Sequence, residues 1–257
     1  MAVVAHSAPD LIRPGSVDEL VGAFGDGSDS AVLGGGTVLV PELLHRRARV
    51  ARVLLLPPGL DRVTREGGRV SIGAGVRVSE LEDGDEPLAT AARHLADLEV
   101  RSQATVGGNL CVRAGETPRG DLQAPLLALG ATVRTVGAGG ERDEPLEDFL
   151  ASGAGNRVVL DVSYDDAERS TGYAAALRPH THHYTILAVA AARRNGETRV
   201  AVTGAAPTAV RLPSVEAGGS PADALDDVHP PDDALASGWY RRRILPTLVE
   251  RALSSLG

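Results

Sequence analysis

The chain has 257 residues, enough to bury a sizeable core and to divide into two domains. Its 26 basic and 34 acidic side chains leave a net charge of −8, and its aromatics are only two Phe, one Trp and four Tyr; a nucleic-acid platform and an anionic membrane surface are poor matches. One cysteine, Cys111, excludes an internal disulfide and, with no CxxC, a cysteine-bound cluster. Neither a signal peptide nor an apolar run of membrane-spanning length is present, so the expected setting is the cytoplasm, without membrane insertion.

In chain order, Ala8 to Gly15 reads as a polar, proline-containing lead. Ser16 is placed to cap a helix through Val17, Leu20, Val21 and Phe24, with Asp18 and Glu19 in the favourable first turn. Gly25 to Ser30 closes it with loop residues. Ala31-Val32-Leu33 reads as a strand that runs into Gly34-Gly35-Gly36-Thr37. A helix-like stretch follows through Leu43, Leu44 and Arg47, and Val53 to Leu56 is a buried strand stopped by Pro57-Pro58. This β–α–β order defines a small lobe over residues 1–56. From Arg62 the texture changes to short strands, Val63-Thr64 and Val70-Ser71-Ile72, joined by a Gly67-Gly68 hairpin turn. A helix is expected from Pro87 through Leu88, Ala91, Ala92, Leu95 and Leu98, whose spacing gives one apolar face.

Arg101 to Asp121 contains the run Thr105-Val106-Gly107-Gly108-Asn109. Asp121 is placed to cap a helix over Leu122 to Leu129, and Cys111 reads as a buried structural thiol. Ala131 to Val136 is a strand, and Val158-Val159-Leu160 closes a second lobe over residues 57–164. Asp165 to Thr171 reads as a charged linker. The C-terminal part, 170–257, has a uniformly apolar stretch from Tyr184 to Ala190, as helix or strand, and a strand at Arg199 to Val202. A loose loop is expected from Gly218 to Ala234, then a last helix on which Arg241-Arg242-Arg243 form a solvated or ion-paired face. His180, His182 and His183 read as a surface loop, since adjacent histidines on a strand cannot all face one metal ion.

Consecutive glycines let the main chain take positive φ and bring its N–H groups close to a ligand. Several such groups on one turn form an anion-binding concavity, as a diphosphate requires. Two such turns, at 34–37 and 105–109, suit a dinucleotide, although each alone also fits a tight turn without a ligand.

Together these motifs resemble the FAD-binding medium subunits of the molybdenum hydroxylases, the family of aerobic CO dehydrogenase and xanthine dehydrogenase-like enzymes. Gly34-Gly35-Gly36-Thr37-Val38-Leu39 is similar to that family's Ala-Gly-Gly-Thr-Asp-Leu, and Ala104 to Leu110 to its Thr-Ile-Gly-Gly-Asn run. Ile72-Gly73-Ala74 matches its Ile-Gly-Ala, and Gly120-Asp121-Leu122 its Ala-Asp-Leu. Trp239 to Arg242 with Leu248 to Leu253 resembles its closing helices. The resemblance implies an α+β fold: a two-lobed FAD-binding domain of the vanillyl-alcohol-oxidase (PCMH) type, then a small α+β CO dehydrogenase flavoprotein C-terminal domain.

By the same resemblance the FAD contacts are Leu33, Gly34, Gly35, Gly36, Thr37, Val38 and Leu39, then Ile72, Gly73 and Ala74, then Arg101, Thr105, Val106, Gly107, Gly108 and Asn109. Asp121 joins them as an acceptor for ribityl hydroxyls. Val38 and Val76 stand where the family has an aspartate and a threonine, and the segment from Ala151 to Asn156 is shorter than its counterpart. The implied function is electron transfer. Electrons from a molybdopterin-binding large subunit would cross a 2Fe–2S small subunit to this FAD and leave to an external acceptor, with no catalytic acid or base and no metal ligand in this chain. Two other readings stay open: a free-standing FAD-dependent oxidoreductase of a biosynthetic pathway, and a non-catalytic scaffold whose glycine turns are empty.

Overall fold

The structure is a computed structural model that describes residues 8–113, 120–178 and 184–257. The first sheet is parallel, in the order β1-β3-β2, from β1 (Asp10–Ile12), β2 (Ser30–Leu33) and β3 (Arg52–Leu55). The segment read as a lead therefore contains a strand, with Leu11 beside Val53 and Ile12 beside Leu54. Three residues are too few to show a period, so pairing with β3 decides the matter. Helix α1 (Val17–Phe24) starts as expected, the Ser16 hydroxyl accepting from the Glu19 N–H at 3.2 Å. Leu20 and Phe24 pack with Leu54, Val136, Val158 and Leu160, which joins the first sheet to the second. Helix α2 (Leu39–Leu44) follows the first glycine run and has no buried residue.

The second sheet is antiparallel, in the order β4-β5-β8-β6-β7, from β4 (Val63–Glu66), β5 (Arg69–Gly73), β6 (Thr132–Gly137), β7 (Gly140–Pro145) and β8 (Val158–Asp165). Against it lie α3 (Leu88–His94), α4 (Leu98–Arg101), α5 (Val106–Leu110), α6 (Gln123–Ala128) and α7 (Leu146–Ser152). The expected continuous helix from Pro87 to Leu98 is two helices. Ala96 takes φ 44°, and the Asp97 carboxylate caps α4 by accepting from Val100 N–H at 2.9 Å. Asp121 is not the cap of α6: the Leu122 N–H is taken by the Asn109 side chain at 2.9 Å and the Gln123 N–H by the Gly120 carbonyl at 3.1 Å.

The third sheet is antiparallel, in the order β12-β11-β10-β9, from β9 (Ser170–Leu177), β10 (Thr185–Arg194), β11 (Glu197–Thr203) and β12 (Val210–Arg211). Strand β10 is apolar from Ile186 to Ala192 because both of its faces are covered there. Ala190 and Ala192 enter the core of the second sheet, while Leu187, Val189 and Ala191 pack with helix α9 (Gly238–Ser254). Alternate residues feed different cores, the pattern of a strand buried on both sides. A short helix α8 (Pro213–Glu216) covers the edge near β11. The three histidines lie outside the described residues.

Of the two readings of the arginine run, solvated or ion-paired, Arg241 takes the ion-paired one, and it does so buried rather than on a surface face. It is fully buried, its guanidinium pairing with Asp233 at 2.6 Å and donating to the carbonyls of Ile186 and Pro231. Arg242 and Arg243 are exposed. Helical spacing puts Arg241 on the stripe of Leu245 and Leu248, and Asp233 waits under that stripe. The loop around Asp233 is accordingly organised, with the same carboxylate accepting from the N–H groups of Leu235 and Ala236 at 2.8 and 3.2 Å. Arg241→Ala is expected to lower the unfolding free energy by about 3–5 kcal/mol, because a buried carboxylate loses its counter-charge; equilibrium urea unfolding measures it.

Candidate functional site

The two glycine motifs meet. A Cβ at Gly35 would overlap the Gln103 carbonyl, and one at Gly34 would overlap the Thr105 hydroxyl. Glycine at these two positions is thus required by the protein's own chain, whatever else it serves. The stretch 104–107 in turn lies along 74–78: Val78 N–H donates to Ala104 O, Val106 N–H to Val76 O and Gly107 N–H to Ala74 O, each at 2.9 Å. Arg77 and Thr105 form an antiparallel bridge. At Gly73 a Cβ would run into the Leu60 carbonyl, and one at Gly107 would come within 2.7 Å of the Ala74 Cβ. Three segments far apart in sequence therefore form one layered contact of nearly bare backbone.

Two cavities open from this contact and share Gly34 and Leu56. The smaller, about 230 Å³, lies among Phe24, Ser30, Val32, Ala74, Gly107, Gly108, Cys111 and the 154–159 segment. The larger, about 550 Å³, lies among Leu33, Gly35, Pro57, Pro58, Leu60, Asp61, Arg77, Gln103 and Thr105. Its Arg77 is anchored by the Ser102 carbonyl. On the wall of the smaller one, Arg157 is committed to Glu144, which is buried, and to the Gly153 carbonyl at 3.1 Å.

The motifs differ in what their backbone offers. In the second, Val106 and Gly107 donate to the 74–76 segment, Gly108 to the Thr105 hydroxyl at 3.3 Å and Asn109 to the Thr105 carbonyl at 2.9 Å. Its donors from Val106 to Asn109 are spent within the protein, only the Thr105 N–H meeting no acceptor among the described residues, and Asn109 also holds Leu122. In the first, the N–H groups of Gly35, Gly36 and Thr37 meet no acceptor among the described residues. Gly36 takes φ 74°, which lets the loop turn. The run of adjacent open N–H donors in the cleft is therefore that of the first loop. Gly108 contributes differently. Its helical backbone needs no glycine, an added Cβ would meet only the Thr105 hydroxyl at 3.1 Å, and it faces the smaller cavity. Gly108 keeps space open.

Not every expected contact lies on these walls. Leu33, Gly34, Gly35, Ala74, Thr105, Gly107 and Gly108 do. Thr37, Val38 and Leu39 continue from the loop into α2, partly buried. Ile72 and Val106 point into the core of the second sheet. The Arg101 guanidinium is turned to Glu82 at 2.7 Å and the Ala96 carbonyl at 2.9 Å, holding the turn between α3 and α4. Asp121 is buried off both walls, beside Tyr173, whose phenol pKa is pushed up by desolvation and further by the Asp121 carboxylate. Cys111, read as buried, instead opens onto the smaller cavity; crowding by protein on its other sides pushes its thiol up to about 11.

Phe24, Ser30, Leu60 and the 154–159 segment line the cavities without any motif to announce them. One signal was available. The parallel strands β2 and β3 end side by side, and ligands favour the carboxyl ends of parallel strands, so Pro57-Pro58 after β3 marks the same rim as the glycines after β2.

Residues 6–160 match the family described as FAD binding domain in molybdopterin dehydrogenase. The medium chain of carbon monoxide dehydrogenase from Hydrogenophaga pseudoflava is 28% identical, covering 94% of this chain and 94% of that one. Subunit alpha of the 6-hydroxypseudooxynicotine dehydrogenase complex from Paenarthrobacter nicotinovorans is 26% identical, covering 95% of this chain and 93% of its own length. The solved carbon monoxide dehydrogenase of Hydrogenophaga pseudoflava lacking the Mo-pyranopterin moiety superposes with a TM-score of 0.84 over 97% of both chains at 26% identity. The chain belongs to the FAD-binding domain family of the molybdopterin dehydrogenases. Its fold is of the expected α+β class, its cofactor is FAD, and it is a component of an oxidoreductase.

The residues present fit that cofactor: two slots meet at a glycine loop with open N–H donors, and Gly108 leaves a gap where a Cβ would stand. Gly108→Val is expected to abolish FAD binding while the apo-protein melts within a few degrees of wild type. Gly35→Ala is expected to lose both FAD and stability, because its Cβ meets backbone that cannot swing aside. Flavin fluorescence titration beside thermal denaturation separates the two.

Proposed function

We propose that this chain is the electron-transfer FAD subunit of a molybdenum hydroxylase-type complex. Its partners are a molybdopterin-binding large subunit and a 2Fe–2S small subunit, its setting is the cytoplasm, and an external acceptor takes the electrons. Residues 1–164 form the cofactor-binding part and 170–257 the C-terminal domain. The observation that carries the reading is the pair of slots meeting at the open-donor loop, in a chain that spans nearly the whole length of relatives named as complex subunits. No helix among the described residues is long and apolar enough to cross a membrane.

Bound FAD supplies the exchange of electrons between donor and acceptor. The chain's own residues bind and orient. Gly35, Gly36 and Thr37 would present N–H groups to the diphosphate, and Gly108 would leave room for the cofactor beside the backbone. The walls hold few groups suited to moving protons. Arg157 is tied to Glu144. The Cys111 thiol, whose pKa desolvation raises further, is no ready base at neutral pH. This suits electron transfer rather than acid–base chemistry at a substrate.

The purified chain is expected to be yellow, to release its flavin on acid precipitation and to be reduced by dithionite. Alone it should not turn over purines, aldehydes or CO; mixed with its cognate large and small subunits it should restore turnover with an artificial acceptor. Repeated turnover of an organic substrate by the isolated chain would refute the subunit reading.

A further inference from the structure

Helix α2 reads Leu-Val-Pro-Glu-Leu-Leu from Leu39 to Leu44, and none of its residues is buried. A helix this short is not held by its own hydrogen bonds, so its apolar side chains need something to pack against. Val40 and Leu44 stand one turn apart on one face, 40% and 77% exposed, with Pro41 exposed beside them. Leu44 is the most exposed large apolar side chain among the described residues. The helix runs straight into His45-Arg46-Arg47-Ala48-Arg49, a basic turn in a chain whose net charge is −8. Arg47 is answered by Glu42 of the same helix at 3.3 Å. Arg46 and Arg49 are exposed and pair with no carboxylate among the described residues. Arg46 also takes φ 58°, a left-handed conformation that a long side chain seldom adopts. An exposed apolar face bordered by unpaired cations has the make-up of a protein docking surface, apolar at the centre and charged at the rim.

We propose that the outward face of α2, with Arg46 and Arg49 at its border, is where the electron-donating small subunit docks, through an acidic surface with an apolar centre. The proposal rests on the reading of the chain as the FAD subunit of a larger complex. Charge selects the chemistry of the occupant. The guanidiniums of Arg46 and Arg49 call for carboxylates across the interface, where opposite charges steer the encounter and fix its orientation. Nucleic acid or an anionic membrane, the other takers of a basic turn, would be repelled by a chain of net charge −8. Position selects the role of the occupant. A Cβ on Gly36 would come 3.1 Å from the Val40 Cγ2 and 3.4 Å from the Leu33 Cδ1, so Val40 stands beside Leu33. Leu33 in turn lines the larger cavity. A subunit seated on Val40 and Leu44 therefore sits at the rim of the cleft, next to the loop with the open N–H donors, as a subunit that feeds electrons to a cofactor there must. Leu44 is its apolar anchor, and Arg46 and Arg49 are its charged border.

The test uses the full FAD-loaded chain in two variants, Leu44→Ser and the double charge reversal Arg46→Glu with Arg49→Glu. Each is titrated calorimetrically with the cognate small subunit and, separately, with the cognate large subunit, at low and at high salt. Leu44→Ser is expected to bind the small subunit about tenfold more weakly at either salt, as loss of an apolar anchor does. The charge reversal should lose about a hundredfold at low salt and clearly less at high salt, because exposed charges are screened. Both variants should keep wild-type FAD content, melting temperature and affinity for the large subunit, since the altered side chains are exposed. Wild-type affinity of both variants for the small subunit would overturn the proposal, and so would a loss confined to the large subunit. A wild-type chain that dimerises alone and turns monomeric as Leu44→Ser would assign the face to a second copy instead. Lost FAD or a lowered melting temperature in Leu44→Ser would make α2 a structural element of the lobe and overturn the docking role. A yellow wild-type chain that bound neither subunit would bring down the subunit reading, and this inference with it.

Discussion

The close approach of Gly35 to the backbone at Gln103 and Ala104, and of Gly34 to the Thr105 side chain, is the contact on which the cleft depends. Side chains of any size would hold the first sheet and the second apart at this point. Glycine lets them touch, and the touch divides the space between them into two slots that share one rim. The strand-like bonds between 74–78 and 104–107 extend the contact into the second sheet, so the loop carrying Thr105 cannot drift without breaking three backbone hydrogen bonds. The cleft is thus preorganised by backbone, with little reliance on long side chains. That suits a chain this poor in aromatics.

The motifs share labour rather than repeat each other. The first loop offers N–H donors and the second offers clearance. Helix α5, which carries the clearance, is held from behind. The Gln123 side chain donates to the carbonyls of Leu110 and Val112 at 3.1 and 2.8 Å and accepts from the Ala209 N–H at 2.9 Å. Thr203 of β11 donates to the Gly120 carbonyl at 3.1 Å. The third sheet therefore braces the end of α5 through α6, and β10 contributes Ala190 and Ala192 to the same core. The C-terminal sheet is a buttress of the cofactor site as well as a layer of its own.

Much of this was legible in the sequence where the backbone itself carried the signal. Glycine runs at strand ends, the β–α–β order, the Gly67-Gly68 hairpin and the Ser16 cap are local features, set by φ limits and hydrogen-bond chemistry. The misses share a cause in tertiary context. Strand β1 exists because β3 offers it an edge. The helix after Pro87 breaks at Ala96, where Arg101 supplies bonds to the turn from farther along the chain. Arg241 looked like its two neighbours until Asp233 was seen beneath it. For the site, the sequence located both motifs but not their contact. It credited both with anion-binding donors, whereas those of Val106 to Asn109 in the second are already taken by the 74–76 segment and by Thr105. Phe24 and Ser30 carry no motif, since an apolar slot can be lined by any side chain of the right size.

Amide hydrogen exchange with and without FAD bears most directly on this division of labour. The account predicts that the amides of Gly35, Gly36 and Thr37 exchange fast in the apo-protein and become protected when FAD binds. Those of Val106, Gly107 and Asn109, already bonded within the protein, should be protected in both states. Protection gained at 106–109 with none gained at 35–37 would contradict it, and would move the diphosphate to the second motif.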